Sequence, residues 1–120
     1  MGQLERDFQP ILIKRLNEQF PGCIVIKNDP TFFQGFPDLT VLYKNKWAAL
    51  EVKKSSSASK RPNQSYYVEQ LNKMSYAAFV SPENMEDIIN DLQRTFRSAR
   101  KARVSESKQS SLDKLWFREI

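Results

Sequence analysis

Apolar residues near the start of the chain recur at the spacing of one helix face: Leu4, Phe8, Ile11, Leu12 and Leu16. The pattern predicts an amphipathic helix over residues 3–19, stopped by Pro21-Gly22. Cys23-Ile24-Val25-Ile26 predicts a short strand. Asn28-Asp29-Pro30 through Gly35 is a loop rich in turn residues, with Phe32 and Phe33 inside it. Residues 39–43 and 47–53 predict the two strands of a hairpin, joined by Lys44-Asn45-Lys46. A polar loop over residues 55–62 leads to a second helix at 63–74, with Tyr67, Leu71 and Met74 on one face, and then to a strand at 76–80. Ser81-Pro82-Glu83 has the form of a helix N-cap followed by proline in the first turn. It opens a third helix, whose Met85, Ile88, Ile89, Leu92 and Phe96 share a face. The order α-β-β-β-α-β-α predicts a mixed α/β domain, one sheet with helices packed on it.

From Arg97 the pattern changes. Arg97, Arg100, Lys101 and Arg103 form a basic run, residues 105–111 are polar, and Leu112, Leu115, Trp116 and Phe117 turn apolar again. The 120 residues thus divide into a core domain at 1–96 and a basic extension at 97–120. Charge follows nearly the same division. Residues 1–93 hold 11 Lys/Arg and 11 Asp/Glu, whereas residues 94–120 hold 8 and 3, which is the whole net excess of +5. A basic extension on a neutral body suits an anionic partner, nucleic acid before membrane. The extension reads either as a DNA arm or as a solvated continuation of the third helix. Its apolar end could pack on the domain, exchange with a second copy or dock on a partner protein, and a homodimer is the expected assembly.

Composition removes several kinds of chemistry. The chain has no histidine, which excludes Ser-His-Asp and Cys-His catalysis and histidine-ligated zinc. Cys23 is the only cysteine, so no intrachain disulfide or cysteine-cluster metal site can form, and its apolar neighbours predict a packed core thiol. No apolar run approaches the roughly 20 residues that span a bilayer. The N-terminus lacks the basic and apolar regions of a signal peptide, so a cytoplasmic setting is expected. Any resident metal must take oxygen ligands.

Such oxygens converge in one place. Pro37-Asp38 opens the first strand of the hairpin, and Glu51-Val52-Lys53 closes the second. Side chains alternate along a strand, so Glu51 and Lys53 share a face while Leu50 and Val52 supply core on the other. The hairpin turn folds Asp38 back beside Glu51. Two neighbouring carboxylates resist joint ionisation, and a divalent cation resolves that conflict. Mg²⁺ takes hard oxygen ligands and keeps several waters. Asp38, Glu51 and the main-chain carbonyl of Val52 are the candidate ligands, with Mn²⁺ as a substitute ion. Lys53 would orient or help deprotonate the attacking water, or offset charge developing on a phosphate.

These residues resemble the PD-(D/E)XK nuclease superfamily, whose two signature elements match Pro37-Asp38 and Glu51-Val52-Lys53 letter for letter over a region of about residues 3–93. Within it, the chain looks most like small phage or archaeal Holliday-junction resolvases and virus-type replication–repair nucleases. The resemblance implies a restriction-endonuclease-like fold, a mixed central sheet with flanking helices. It also implies Mg²⁺-dependent hydrolysis of phosphodiester bonds in branched or structured DNA, in a bacterial cell or a phage-infected host. Many relatives carry a further acid on the first helix. Glu5 falls on the apolar face and is preferred over Asp7, which falls toward the polar side. Gln64 looks like the glutamine that several branches place near the site, with Gln70 as the alternative.

Lys54, Lys60 and Arg61 are candidate phosphate contacts, as are Arg97, Arg100, Lys101 and Arg103 of the extension. Tyr66 and Tyr67 could stack on bases or serve as core. Phe32, Phe33 and Phe36 are expected to pack the loop onto the domain, with wedging into a distorted duplex as the alternative. The competing functional reading is a non-catalytic nucleic-acid-binding module on a nuclease fold.

Overall fold

The computed structural model describes residues 4–97; the candidate contacts Arg100, Lys101 and Arg103 and the apolar C-terminal segment lie outside the described residues. The elements are α1 (Glu5–Gln19), β1 (Ile24–Lys27), β2 (Leu39–Tyr43), β3 (Lys46–Val52), α2 (Pro62–Met74), β4 (Ala77–Val80) and α3 (Met85–Arg97). The sheet runs β1-β2-β3-β4. The first three strands pair antiparallel, and β4 pairs parallel to β3 after crossing over through α2. Tyr43 pairs with Lys46, so the hairpin turn is two residues, one shorter than the sequence suggests. Lys44 takes the left-handed conformation (φ 56°) that tight hairpins favour.

Alternation along the strands sorts the two faces. Leu39, Val41, Ala48, Leu50, Val52 and Val80 point to one side, where Phe8, Leu12 and Leu16 of α1 and Ile88, Ile89, Leu92 and Phe96 of α3 complete the main core. Cys23 is buried in the same cluster, as its apolar neighbours predict. Arg15 holds Glu86 through two hydrogen bonds of 2.9 Å, joining α1 to α3 over this face. The opposite face belongs to α2. There Leu71 is buried with Ala49 and Ala77, and Phe36, Trp47, Tyr67 and Val68 pack around them. α2 covers only part of this face, because Ile24, Ile26 and Leu42 on the β1–β2 half remain exposed.

The periodic positions are mostly, but not all, buried. Leu4, Ile11 and Met74 are exposed. Met74 is the last residue of α2, and a repeat identifies a helix face without saying where the surface beneath it ends. α3 also starts later than the Ser81-Pro82-Glu83 pattern predicts. Asn84 accepts the Ser81 N–H through its side chain (2.8 Å) and donates to the Phe79 carbonyl (3.0 Å). Residues 81–84 therefore form a separate turn, and Ile88 N–H bonds back to the Asn84 carbonyl at the true helix start.

Candidate active site

The register brings the two halves of the motif together. Leu39 lies opposite Leu50, so one step outward sets Asp38 opposite Glu51. With Leu50 and Val52 turned toward α1 and α3, Glu51 and Lys53 must turn toward α2. Both are buried, at 4% and 7% exposure. Asp38 Oδ2 accepts the Val52 N–H at 2.8 Å, which extends the β2–β3 pairing by a side-chain bond and holds the aspartate against the end of β3.

Gln64, in the first turn of α2, completes the cluster. Its Nε2 donates to Glu51 Oε2 at 2.9 Å, and its Oε1 accepts from Lys53 Nζ at 2.8 Å and from the Arg61 N–H at 3.0 Å. The partners dictate the amide's orientation: a flipped amide would aim its NH₂ at an ammonium and an N–H, and its oxygen at a carboxylate. Gln64 thus bridges Glu51 and Lys53.

Glu51 is under electrostatic pressure. Burial raises its pKa first and the Asp38 charge second, Lys53 opposes them, the close approach of the Asp38 side chain raises it further, and Glu5 adds the smallest push; the result is about 8. Glu51 Oε1 is buried with no hydrogen-bond partner among the described residues. A buried acceptor without a donor is costly. An oxygen in that state, beside a second carboxylate, suits a hard cation. No group of three or more His, Cys, Asp or Glu side chains among the described residues could hold a metal ion. Two carboxylates and a main-chain carbonyl still suffice for Mg²⁺, which usually binds one or two carboxylates and retains several waters. The donor set, two carboxylates beside a main-chain carbonyl, is of the kind such an ion takes. Of the two candidate acids in the first turn of α1, Glu5 and Asp7, both exposed, Glu5 is the one whose charge reaches Glu51.

Around this centre, Lys54, Lys60 and Arg61 are exposed. A recess beside Lys53 is lined by Ser55, Ser56, Lys60, Ser81 and Asn84 among others. Arg97 is elsewhere: Lys46 Nζ donates to the Phe96 carbonyl at 3.3 Å, which puts the end of α3 at the hairpin end of β3, away from Glu51. The aromatic loop also departs from expectation. Phe36 packs on Tyr67, but Phe32 and Phe33 are 86% and 51% exposed.

Two residues escaped the sequence reading. Asn28 donates through Nδ2 to the Pro37 carbonyl (2.9 Å) and to Thr40 Oγ1 (3.0 Å), and its N–H bonds to the Asp38 carbonyl (2.8 Å). It fastens both ends of the loop beside Asp38. Gly35 has φ 85°, and a Cβ there would fall 2.5 Å from Asn63 Cγ, next to Gln64. The only hint in the sequence is that Asn and Gly favour irregular backbone.

A scan against protein-family models finds no match, and neither does a search of curated protein sequences. Solved structures do match. One described as a VRR_NUC domain protein superposes with a TM-score of 0.60 at 16% identity, covering 81% of this chain and 91% of its own. Another, described as a VRR_NUC domain, gives 0.53 at 28% identity, over 68% of this chain and 92% of its own. The fold is restriction-endonuclease-like. In this nuclease fold the order of helices and strands, the mixed sheet and the hairpin carrying Asp38 and Glu51 are consistent with the PD-(D/E)XK superfamily. No helix among the described residues is long and apolar enough to cross a membrane.

Proposed function

We propose that the protein is a metal-dependent deoxyribonuclease that cuts phosphodiester bonds in branched or structured DNA, in the manner of a Holliday-junction resolvase. One observation carries the proposal: the buried Glu51 oxygen without a partner, on a carboxylate whose other oxygen is held by the Gln64 that also holds Lys53. Asp38, Glu51 and the Val52 carbonyl would hold Mg²⁺, with Mn²⁺ able to replace it. Bound there, the ion would supply positive charge to the scissile phosphate and lower the pKa of a coordinated water. Glu5, at the start of α1, would complete the shell through water.

The chain's own residues supply the rest. Lys53 has three N–H donors and gives one to Gln64, leaving others to orient the attacking water and offset charge on the phosphate. Gln64 is a positioning residue, since it fixes Glu51 and Lys53 relative to each other. Lys54, Lys60 and Arg61 would neutralise flanking phosphates, and Arg97, Arg100, Lys101 and Arg103 would add an arm. Assembly as a homodimer would present two such sites to two strands.

The test is a cleavage panel with Mg²⁺ and with Mn²⁺ on linear duplex, single strand, flap, splayed arm and four-way junction. Branched substrates are expected to be cut by the native protein. Asp38→Ala and Glu51→Ala should each lose at least about a thousandfold in rate with their folds intact, the scale expected when the central electrostatic elements of a site are removed. Retained activity in either variant would overturn the site. One observation favours a non-catalytic DNA-binding module instead, namely the lack of a third acid within the cluster among the described residues. That reading requires no cleavage of any substrate and DNA binding unaffected by Asp38→Ala.

A further inference from the structure

Aromatic rings form a continuous series beside the candidate site. Phe32 stacks on Phe33 at 6.5 Å between centroids, Phe33 meets Phe36 and Tyr67 at 5.4 Å each, and Tyr67 meets Tyr66 at 5.2 Å. Part of this series is ordinary packing: Phe36 and Tyr67 lie against the small core under α2. The remainder is not, because Phe32, Phe33 and Tyr66 are all more than half exposed. Three large rings are presented to solvent beside a loop that Asn28 fastens at both ends.

The position of the series identifies what it faces. Phe36 precedes Asp38 by two residues. Tyr67 follows Gln64 by three along α2, a separation of about one helical turn. The loop touches α2 at Gly35, against the neighbour of Gln64. Lys27, Lys54, Lys60 and Arg61 are exposed on the segments that flank the loop and open α2. The nearest loop acid, Asp29, is turned onto Thr31, accepting its N–H at 2.9 Å and its hydroxyl at 2.7 Å.

We infer that Phe32, Phe33 and Tyr66 form a stacking platform for unpaired nucleobases of the strand whose phosphate enters the Asp38–Glu51 site. Bases within a duplex have both faces occupied by neighbours, whereas unpaired bases offer theirs to aromatic rings. Among branched molecules the platform therefore favours DNA that is single-stranded immediately beside the cleaved bond, such as a flap or splayed arm, and adds little on a fully paired four-way junction. The inference rests on the nuclease reading for which strand enters the site, but stacking itself is measured without cleavage.

The experiment is fluorescence anisotropy with the full chain, Ca²⁺ replacing Mg²⁺, on three labelled probes: a 20-nucleotide oligothymidylate, the same backbone with abasic residues, and a blunt duplex of equal length. The native protein should bind oligothymidylate at least about tenfold tighter than the abasic strand, in line with one base–aromatic stack. Phe32→Ala and Phe33→Ala should each erase most of that margin while leaving abasic affinity alone, and Phe32→Trp should restore it. Phe32 is 86% exposed, so its variants are expected to keep the native melting temperature. Equal affinity of the native protein for the oligothymidylate and abasic strands would overturn the platform. So would an equal loss on both strands, which marks a structural role, or a comparable loss on duplex, which marks a wedge. Cleavage with Mg²⁺ or Mn²⁺, followed in parallel, separates the two readings. Base discrimination without cleavage sinks only the nuclease, and cleavage without base discrimination sinks only the platform.

Discussion

Burial and the Asp38 charge push Glu51 up to about 8, so at neutral pH without a cation its native carboxyl retains a proton that the unfolded chain gives up near 4.5. The sign of the pH dependence follows. Below 4.5 both states hold the proton, and this group costs the fold nothing. As pH rises toward 8, native Glu51 retains a proton the unfolded chain has lost, and stability falls until both have lost it. Glu51→Gln keeps the Gln64 contact without the buried charge. In chelator-containing buffer it is expected to melt about 5 °C above the native protein at pH 9 and at the same temperature at pH 4. Equal melting temperatures at pH 9 would show that Glu51 carries no such penalty. Divalent cation should reverse the order at pH 9, raising the native melting temperature and leaving the variant's nearly unchanged. At this scale the candidate chemistry was readable from sequence, because period-two alternation fixes the face shared by Glu51 and Lys53 whatever surrounds them. The Gln64 bridge was only suggested, since it depends on where α2 settles against β3.

The loop between β1 and β2 carries Asp38 on one side and touches α2 on the other, so its shape sets the distance between the hairpin acids and Gln64. Gly35 controls that contact through its φ of 85° and the space that Asn63 occupies. Gly35→Ala is expected to cost about 1–3 kcal/mol. Its cleavage rate should fall more than its stability implies, because displacing Asn63 also moves Gln64. Chemical denaturation paired with initial rates checks this, and native values for both would remove Gly35 from the site's scaffold. Elements with strong periodicity, such as α3 and the β2–β3 hairpin, were legible in outline because their core positions repeat. The role of Asn28 was not, since a polar loop residue has no repeat to reveal its partners. The ring positions show the same limit. The sequence favours packing for Phe32 and Phe33, yet the loop is anchored by Phe36 and Asn28, which leaves those two rings outside.

Across the whole molecule, charge and candidate chemistry are segregated. The neutral body holds Asp38 and Glu51 at one end of β3, while α3 closes on Arg97 at the opposite, hairpin end, where Phe96 meets Lys46. Deleting residues 98–120 removes six Lys/Arg. DNA affinity is expected to fall, and its salt dependence to flatten by about 0.9 in log–log slope for each phosphate the shortened chain no longer neutralises. The rate at saturating substrate should stay within about twofold, because no residue of the candidate centre is removed. A large drop in that rate, with affinity unchanged, would place the extension in the chemistry instead.

The opposed ends of β3 also give the molecule a ruler. Six residue steps separate Lys46 from Val52, about 20 Å at the rise of a strand. On a duplex lying along that direction, 20 Å is about six base pairs. A phosphate contact made by Arg97, which follows Phe96 at the hairpin end, would then lie roughly half a helical turn from the cut. A branch with fewer paired bases than that on the hairpin side would leave Arg97 no phosphate there, so branch length would join branch shape in deciding which DNA is cut.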